Sequence, residues 1–216
     1  MGQPFFLAIA GNIGVGKTYL TRLIHQRLGW IAYFEPAIEN PYLAKFYGDM
    51  KTWALRSQLY FLEHRADFQR RMMLSADHFI QDRTIYEDAE VFERGLFDMG
   101  YISSEEHRQY REEYERILSE FRPPSMVIYL RAHPDTLLKR IAKRGRECER
   151  TISADYLARL EKSYERWADE ISSTVRVHRI DTNGLRDLDG SDEVEEVLDL
   201  LCRETGSVKT RSGTEG

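Results

Sequence analysis

Phe5-Phe6-Leu7-Ala8-Ile9-Ala10-Gly11-Asn12-Ile13-Gly14-Val15-Gly16-Lys17-Thr18 is the stretch that decides the fold. Its first six residues are apolar on both faces and stop at a glycine, which predicts a short strand buried on both sides. The next eight fit GxxxxGK[ST] and run straight into a helix expected over Lys17–Leu28, the strand–loop–helix setting in which this pattern cradles a polyphosphate. Glycines let the backbone wrap the anion, and the loop N–H groups and the helix N-terminus favour its charge. Lys17 is expected to reach the outer phosphates and Thr18 to ligate Mg²⁺. Gly11, Asn12, Ile13, Gly14, Val15, Gly16, Lys17 and Thr18 are thus the candidate triphosphate-binding residues.

Working outward, Trp30–Phe34 reads as a second strand, stopped by Glu35-Pro36 because the residue before proline is pushed out of helical geometry. His78–Asp82, Met126–Leu130 and Val175–Ile180 are further strands. Helices are expected over Pro41–Phe46, Trp53–Leu74, Asp88–Phe97, Ser104–Phe121, Pro134–Lys143, Ser153–Ile171 and Glu193–Cys202. Leu55, Leu59, Leu62 and Ala66 form the buried stripe expected of the long second one. Strands alternating with helices imply an α/β architecture, a five-stranded parallel sheet covered by helices in the manner of P-loop NTP hydrolases.

The 216 residues suit one such domain, 1–205, with an Arg-rich lid at about 144–152. Residues 206–216 hold a single aliphatic side chain among Gly, Ser and Thr, and disorder is expected there. A formal net charge of −5 leaves no uniform basic surface for tracking nucleic acid, so any anion site must be local. No apolar run approaches the roughly 20 residues needed to span a bilayer and no cationic leader precedes the first strand, so a cytoplasmic protein is expected. Cys148 and Cys202 lack CxxC partners and the six histidines lack metal-ligand spacing, which points to free thiols and away from a transition-metal centre.

The triphosphate loop alone leaves kinase, GTPase, ATPase and motor open. The DxxG strings fall late, at 181–184 and 187–190, and no NKxD is present, which disfavours a GTPase. In an open parallel sheet, ligands sit beyond the carboxyl ends of the strands, so Gly11, Glu35 and Asp82-Arg83 should converge. Phosphoryl transfer to a hydroxyl needs a carboxylate to take the proton, cations for the transferred group and a metal on the phosphate oxygens. Glu35, Arg83 with Lys17, and Mg²⁺ at Thr18 are the candidates for those roles.

With Glu35-Pro36, Gln58-Leu59-Tyr60-Phe61-Leu62 running to Arg65, Asp82-Arg83-Thr84-Ile85-Tyr86 and the Arg144-Gly145-Arg146 loop following GNIGVGKT in order, the sequence resembles the deoxynucleoside kinase family from about Phe5 to Asn183. That resemblance implies transfer of the γ-phosphate of ATP to the 5′-hydroxyl of a deoxynucleoside in nucleotide salvage. Glu35 would be the base, Arg83 would hold that carboxylate and the reacting phosphate, and Asp82 would reach Mg²⁺ through water. Gln58 would pair with the nucleobase edge, Phe92 would stack on it, and Tyr47 and Glu149 would hold the sugar 3′-hydroxyl. Arg140, Arg144 and Arg146 would be lid arginines over the ATP phosphates. Arg65 and Asp88 match a charged pair found in the deoxycytidine and purine branches, which favours those bases over thymine. Asn40 stands where the animal enzymes place a Trp. The family commonly forms homodimers, for which the helices at 88–97 and 104–121 would supply the face.

Two other readings compete. A thymidylate-like monophosphate kinase shares the phosphate loop and an Asp-Arg strand end, but there Arg precedes and Gly follows the Glu-Pro, where this chain has Phe34 and Ala37. A non-catalytic nucleotide-binding module would not need the proton acceptor and cations present here.

Overall fold

The computed structural model describes residues 3–34, 40–184 and 191–210. Strand β1 (Phe6–Gly11) is buried along its whole length because it lies between two hydrogen-bonded neighbours. Phe6 to Ile9 pair in parallel with Phe79 to Asp82 of β3 (Phe79–Asp82), and Leu7 to Gly11 with Met126 to Leu130 of β4 (Met126–Arg131). The outer positions go to β2 (Ile31–Tyr33) and β5 (Arg176–Asp181), giving the all-parallel order β2-β3-β1-β4-β5. The chain leaves β1 for one side of the sheet and later crosses to the other, so a crevice opens beyond the carboxyl end of β1. Edge strand β5 buries only Ile180 and exposes Arg176, Arg179 and Asp181, charges that discourage pairing with another sheet.

Nine helices cover the sheet among the described residues: α1 (Lys17–Leu28), α2 (Leu43–Gly48), α3 (Met50–Met73), α4 (Ile85–Glu87), α5 (Arg94–Asp98), α6 (Ser104–Leu118), α7 (Pro134–Arg144), α8 (Ala154–Ile171) and α9 (Asp192–Thr205). Their starts carry the expected signals. Ser103 and Glu106 form a reciprocal capping box on α6, Pro134 occupies the first turn of α7, and Ser153 caps α8 through the Tyr156 amide.

Three expectations need correction. The expected α3 stripe faces a cluster with Ile85, Tyr110 and Ile117, Leu62 and Ala66 fully buried and Leu55 and Leu59 half-buried, but it is only part of what the helix buries: Ala54, Ser57, Gln58, Phe61, Arg65, Gln69 and Met72 are buried as well. This helix is enclosed on two sides, so one apolar stripe does not describe it. The helix expected to begin at Asp88 begins at Ile85, and Asp88–Glu93 between α4 and α5 is a π-helical turn, a widening that often marks functional sites. Residues 206–210, part of the tail expected to be disordered, are docked: Trp30 Nε1 donates to Ser207 Oγ at 2.9 Å, Lys209 pairs with Glu195 and Asp199, and the Thr210 amide donates to Arg27 O. Single polar partners hold this segment, and composition does not register them. Residues 211–216 lie outside the described part.

Candidate active site

Beyond β1 the chain turns through Gly11 at φ 141° and Gly16 at φ 111°, backbone conformations that only glycine adopts without strain. A Cβ on Gly11 would collide with the Leu130 carbonyl of β4, so the loop lies directly against the sheet. Asn12 turns inward and pins the loop to α8: Nδ2 donates to Leu157 O at 2.9 Å and to Glu161 Oε2 at 3.1 Å, while Oδ1 accepts from the Ile13 amide. Lys17 is buried at the start of α1 and donates to the carbonyls of Gly11 (2.8 Å) and Asn12 (3.0 Å). Thr18 Oγ1 donates to Asp82 Oδ2 at 2.5 Å, which joins this loop to the end of β3.

Arg83, the residue after β3, has φ 64°, the one positive value recorded for a non-glycine among the described residues. Its guanidinium lies over the Phe92 ring at 4.1 Å. Thr84 then caps α4 in a reciprocal box with Glu87, whose Oε2 accepts from the Thr84 amide at 3.0 Å. Glu87 Oε1 accepts from the Tyr164 hydroxyl at 2.9 Å. Complete burial pushes the Glu87 carboxyl up to about 7, against the opposing pull of Arg83 and Lys17 and of its hydrogen bonds.

These groups border a cleft of about 250 Å³. Ile13, Gly14, Gly16, Lys17, Thr18 and Arg83 line it together with Gln58, Asp88, Phe92, Tyr47 and Glu149. Leu43, Phe46 and Phe61 give it apolar walls. Asp88 is gripped from behind by Arg65, which donates to both carboxylate oxygens at 2.7 Å, with both side chains buried. Arg65 itself is not among the lining residues. Asn40 does not form a wall either: its side chain bonds Ser57 and the Tyr42 amide, fixing the approach to α2.

The expected lid divides in two. Arg144 ends α7, Gly145 turns the chain at φ 71°, and a 3₁₀ turn, Glu147–Glu149, follows. Glu149 is buried and ion-paired to Arg144 at 2.5 Å and to Arg146 at 3.3 Å. Thr151 Oγ1 donates to the Tyr47 carbonyl, tying the lid to α2. Arg140 also lines the cleft but belongs to the body of α7, where it donates to Thr182 O at 2.6 Å and Thr182 Oγ1 at 2.9 Å; burial lowers its pKa.

Most residues singled out in the sequence therefore meet at one cleft. Glu35 lies outside the described residues. Gly11, Asn12, Val15 and Asp82 shape the site from beneath its surface. Sequence reading passed over Glu87, Tyr164, Tyr156, which also lines the cleft, and the apolar walls, although Thr84-x-x-Glu87 carries the spacing of a capping box.

Five cations, Lys17, Arg83, Arg140, Arg144 and Arg146, border this cleft in a chain of net charge −5, beside an amide, two carboxylates and aromatic rings of a kind that can receive an acceptor. A P-loop kinase is the class of protein that this fold and cleft define. The deoxynucleoside kinase family matches residues 7–203, and the chain belongs to that family. It is 34% identical over 199 residues to a deoxyadenosine/deoxycytidine kinase of Bacillus subtilis (strain 168), with 91% of each chain covered. It is 36% identical to a deoxyadenosine kinase of Dictyostelium discoideum, over 81% of this chain and 71% of that one. The solved deoxyadenosine kinase from M. mycoides with bound dCTP superposes with a TM-score of 0.81 at 28% identity, covering 92% of this chain and all of that one.

Proposed function

We propose that the chain transfers the γ-phosphate of ATP to the 5′-hydroxyl of a 2′-deoxynucleoside, a purine deoxynucleoside or deoxycytidine, in cytoplasmic nucleotide salvage. One observation carries this reading: the cleft lined by Lys17, Thr18 and the lid arginines is also lined by Gln58, Asp88 and Phe92. Relatives named for deoxyadenosine, deoxycytidine and deoxyguanosine support the choice of base.

In this mechanism Glu35 takes the proton of the 5′-hydroxyl as its oxygen bonds to the γ-phosphorus and the bond to the departing diphosphate breaks. Lys17 and Arg83 offset charge on the transferred group, and Arg140, Arg144 and Arg146 do so on the donor phosphates. The Thr18 hydroxyl and Asp82 carboxylate, adjacent hard oxygens, suit Mg²⁺, with Asp82 acting through water; the ion would neutralise phosphate charge there. Gln58 offers donor and acceptor to the base edge, with Asp88, held by Arg65, beside it. Phe92 packs against the base, and Tyr47 and Glu149 hold the 3′-hydroxyl. A homodimer through the segments 88–97 and 104–121 completes the reading, and sedimentation tests it.

The main test is ATP-dependent product formation on deoxyadenosine, deoxyguanosine, deoxycytidine, thymidine and their monophosphates, with and without Mg²⁺. Product from a free purine deoxynucleoside or deoxycytidine is expected. Product from monophosphates alone would overturn the assignment in favour of a monophosphate kinase.

A further inference from the structure

Arg83, at φ 64°, is held in a left-handed backbone conformation that is strained for a non-glycine residue and persists only where its surroundings over-determine it. On its N-terminal side its own amide donates to Ile9 O of β1 at 3.1 Å. On its C-terminal side the next amide, that of Thr84, donates to Glu87 Oε2 at 3.0 Å. Glu87 is fixed in turn, because the Tyr164 hydroxyl of α8 donates to its other oxygen at 2.9 Å and the side chain has no solvent exposure. The peptide on each side of Arg83 is therefore clamped, one by the central strand and one by a carboxylate braced from another helix.

Arg83 from the end of β3, Lys17 from α1 and Tyr164 from α8 are charged or titratable groups that face Glu87. Burial holds its carboxyl up at about 7, so its two hydrogen bonds, present whether or not the group is ionised, are what fix this turn.

We propose that Glu87 is a positioning residue for phosphoryl transfer: through the Thr84 amide it holds the Arg83 backbone, and so the direction of the Arg83 guanidinium, without touching either substrate. The inference rests on the reading that Arg83 faces the transferred group.

The experiment compares steady-state kinetics of Glu87→Gln, Glu87→Ala, Arg83→Lys and the Arg83→Lys/Glu87→Ala double variant. Glu87→Ala loses the acceptor that fixes the Thr84 amide and is expected to lower kcat about a hundredfold, the scale on which a small displacement of a catalytic group acts, with both KM values changed less than about threefold. Glu87→Gln keeps an acceptor for Thr84 and lies between Glu87→Ala and the parent at roughly tenfold. In the double variant the losses do not multiply, because both act through one guanidinium. Glu87→Ala within twofold of the parent kcat, or losses that multiply, would overturn the proposal. Arg83→Lys with the parent kcat would instead refute the reading beneath it. Should the Glu87 variants not fold, Tyr164→Phe decides: it removes one brace and leaves the ring, and kcat lowered severalfold at unchanged KM supports the proposal, while an unchanged kcat overturns it.

Discussion

Replacing Asp88 by Asn removes the anion that Arg65 grips and leaves shape and volume almost intact. The two side chains are 1% and 2% exposed, and Arg65 reaches both carboxylate oxygens at 2.7 Å. The guanidinium also lies 4.7 Å from the centre of the Phe61 ring, an attraction too weak to replace a carboxylate at this depth. Breaking a buried pair from one side leaves a charge in a medium that solvates it poorly, at a cost of ~3–5 kcal/mol. For a chain of this size each kcal/mol lowers the melting temperature by roughly 2–4 °C, so Asp88→Asn should melt about 6–20 °C below the parent. The assay is urea and thermal unfolding without nucleotide, since a ligand bound by the folded state would add its own stabilisation. The double replacement Arg65→Met/Asp88→Leu, which removes both charges, should recover most of the loss. A loss below ~1 kcal/mol for Asp88→Asn would refute the argument that this pair is a mutually dependent buried charge.

Glu35→Gln should leave ATP binding intact by calorimetry while lowering turnover by ~10²-fold or more, the usual effect of removing a general base; unchanged turnover removes Glu35 from the chemistry. Gly11→Ala should cost about 3 kcal/mol or more in urea unfolding, because its φ of 141° and the Leu130 carbonyl both exclude a Cβ. The Glu87 carboxyl is raised from 4.5 to about 7 on folding, so the folded state binds the proton more tightly and stability falls as pH rises between those values. Glu87→Gln has no such proton to lose, so stability of the parent relative to this variant should decline from pH 5 to 8; a flat difference would show that the carboxyl is not raised.

The fold was legible because its signals are local. An apolar run ending in Gly11, strand breaks such as Glu35-Pro36 and caps such as Ser103 and Ser153 each act over a few residues, and their order alone dictates a parallel sheet. The phosphate loop was legible for the same reason. The acceptor half was readable only through resemblance, because Gln58, Asp88 and Glu149 are ordinary polar residues until three separate elements bring them to one cleft. The stripe on α3 was real but incomplete, because Arg65, Gln58 and Gln69 are buried by contacts distant in sequence, while hydropathy counts them as surface. Glu87 was missed because a capping box explains its position at the local level, and only the contact with Tyr164, 77 residues away, reveals how deep it lies.

Four of the five cations of the cleft share one arrangement that bears on how a polyphosphate is chosen. Lys17 holds the carbonyls of Gly11 and Asn12, Arg140 holds Thr182, and Arg144 and Arg146 hold Glu149. A ligand that engages them must compete with oxygens already hydrogen-bonded at 2.5 to 3.3 Å. A single weak acceptor gains little from such an exchange, since one hydrogen bond replaces another. A triphosphate gains more, because its many charged oxygens can satisfy several of these donors together, in charge-assisted bonds stronger than those to neutral carbonyls. The Glu149 pairs add a link to the acceptor: the carboxylate that restrains two lid arginines is also the one assigned to the sugar 3′-hydroxyl. On the proposed assignment, engagement of the sugar by Glu149 would weaken its hold on Arg144 and Arg146 and so favour their turn toward phosphate, coupling the two halves of the reaction through one side chain.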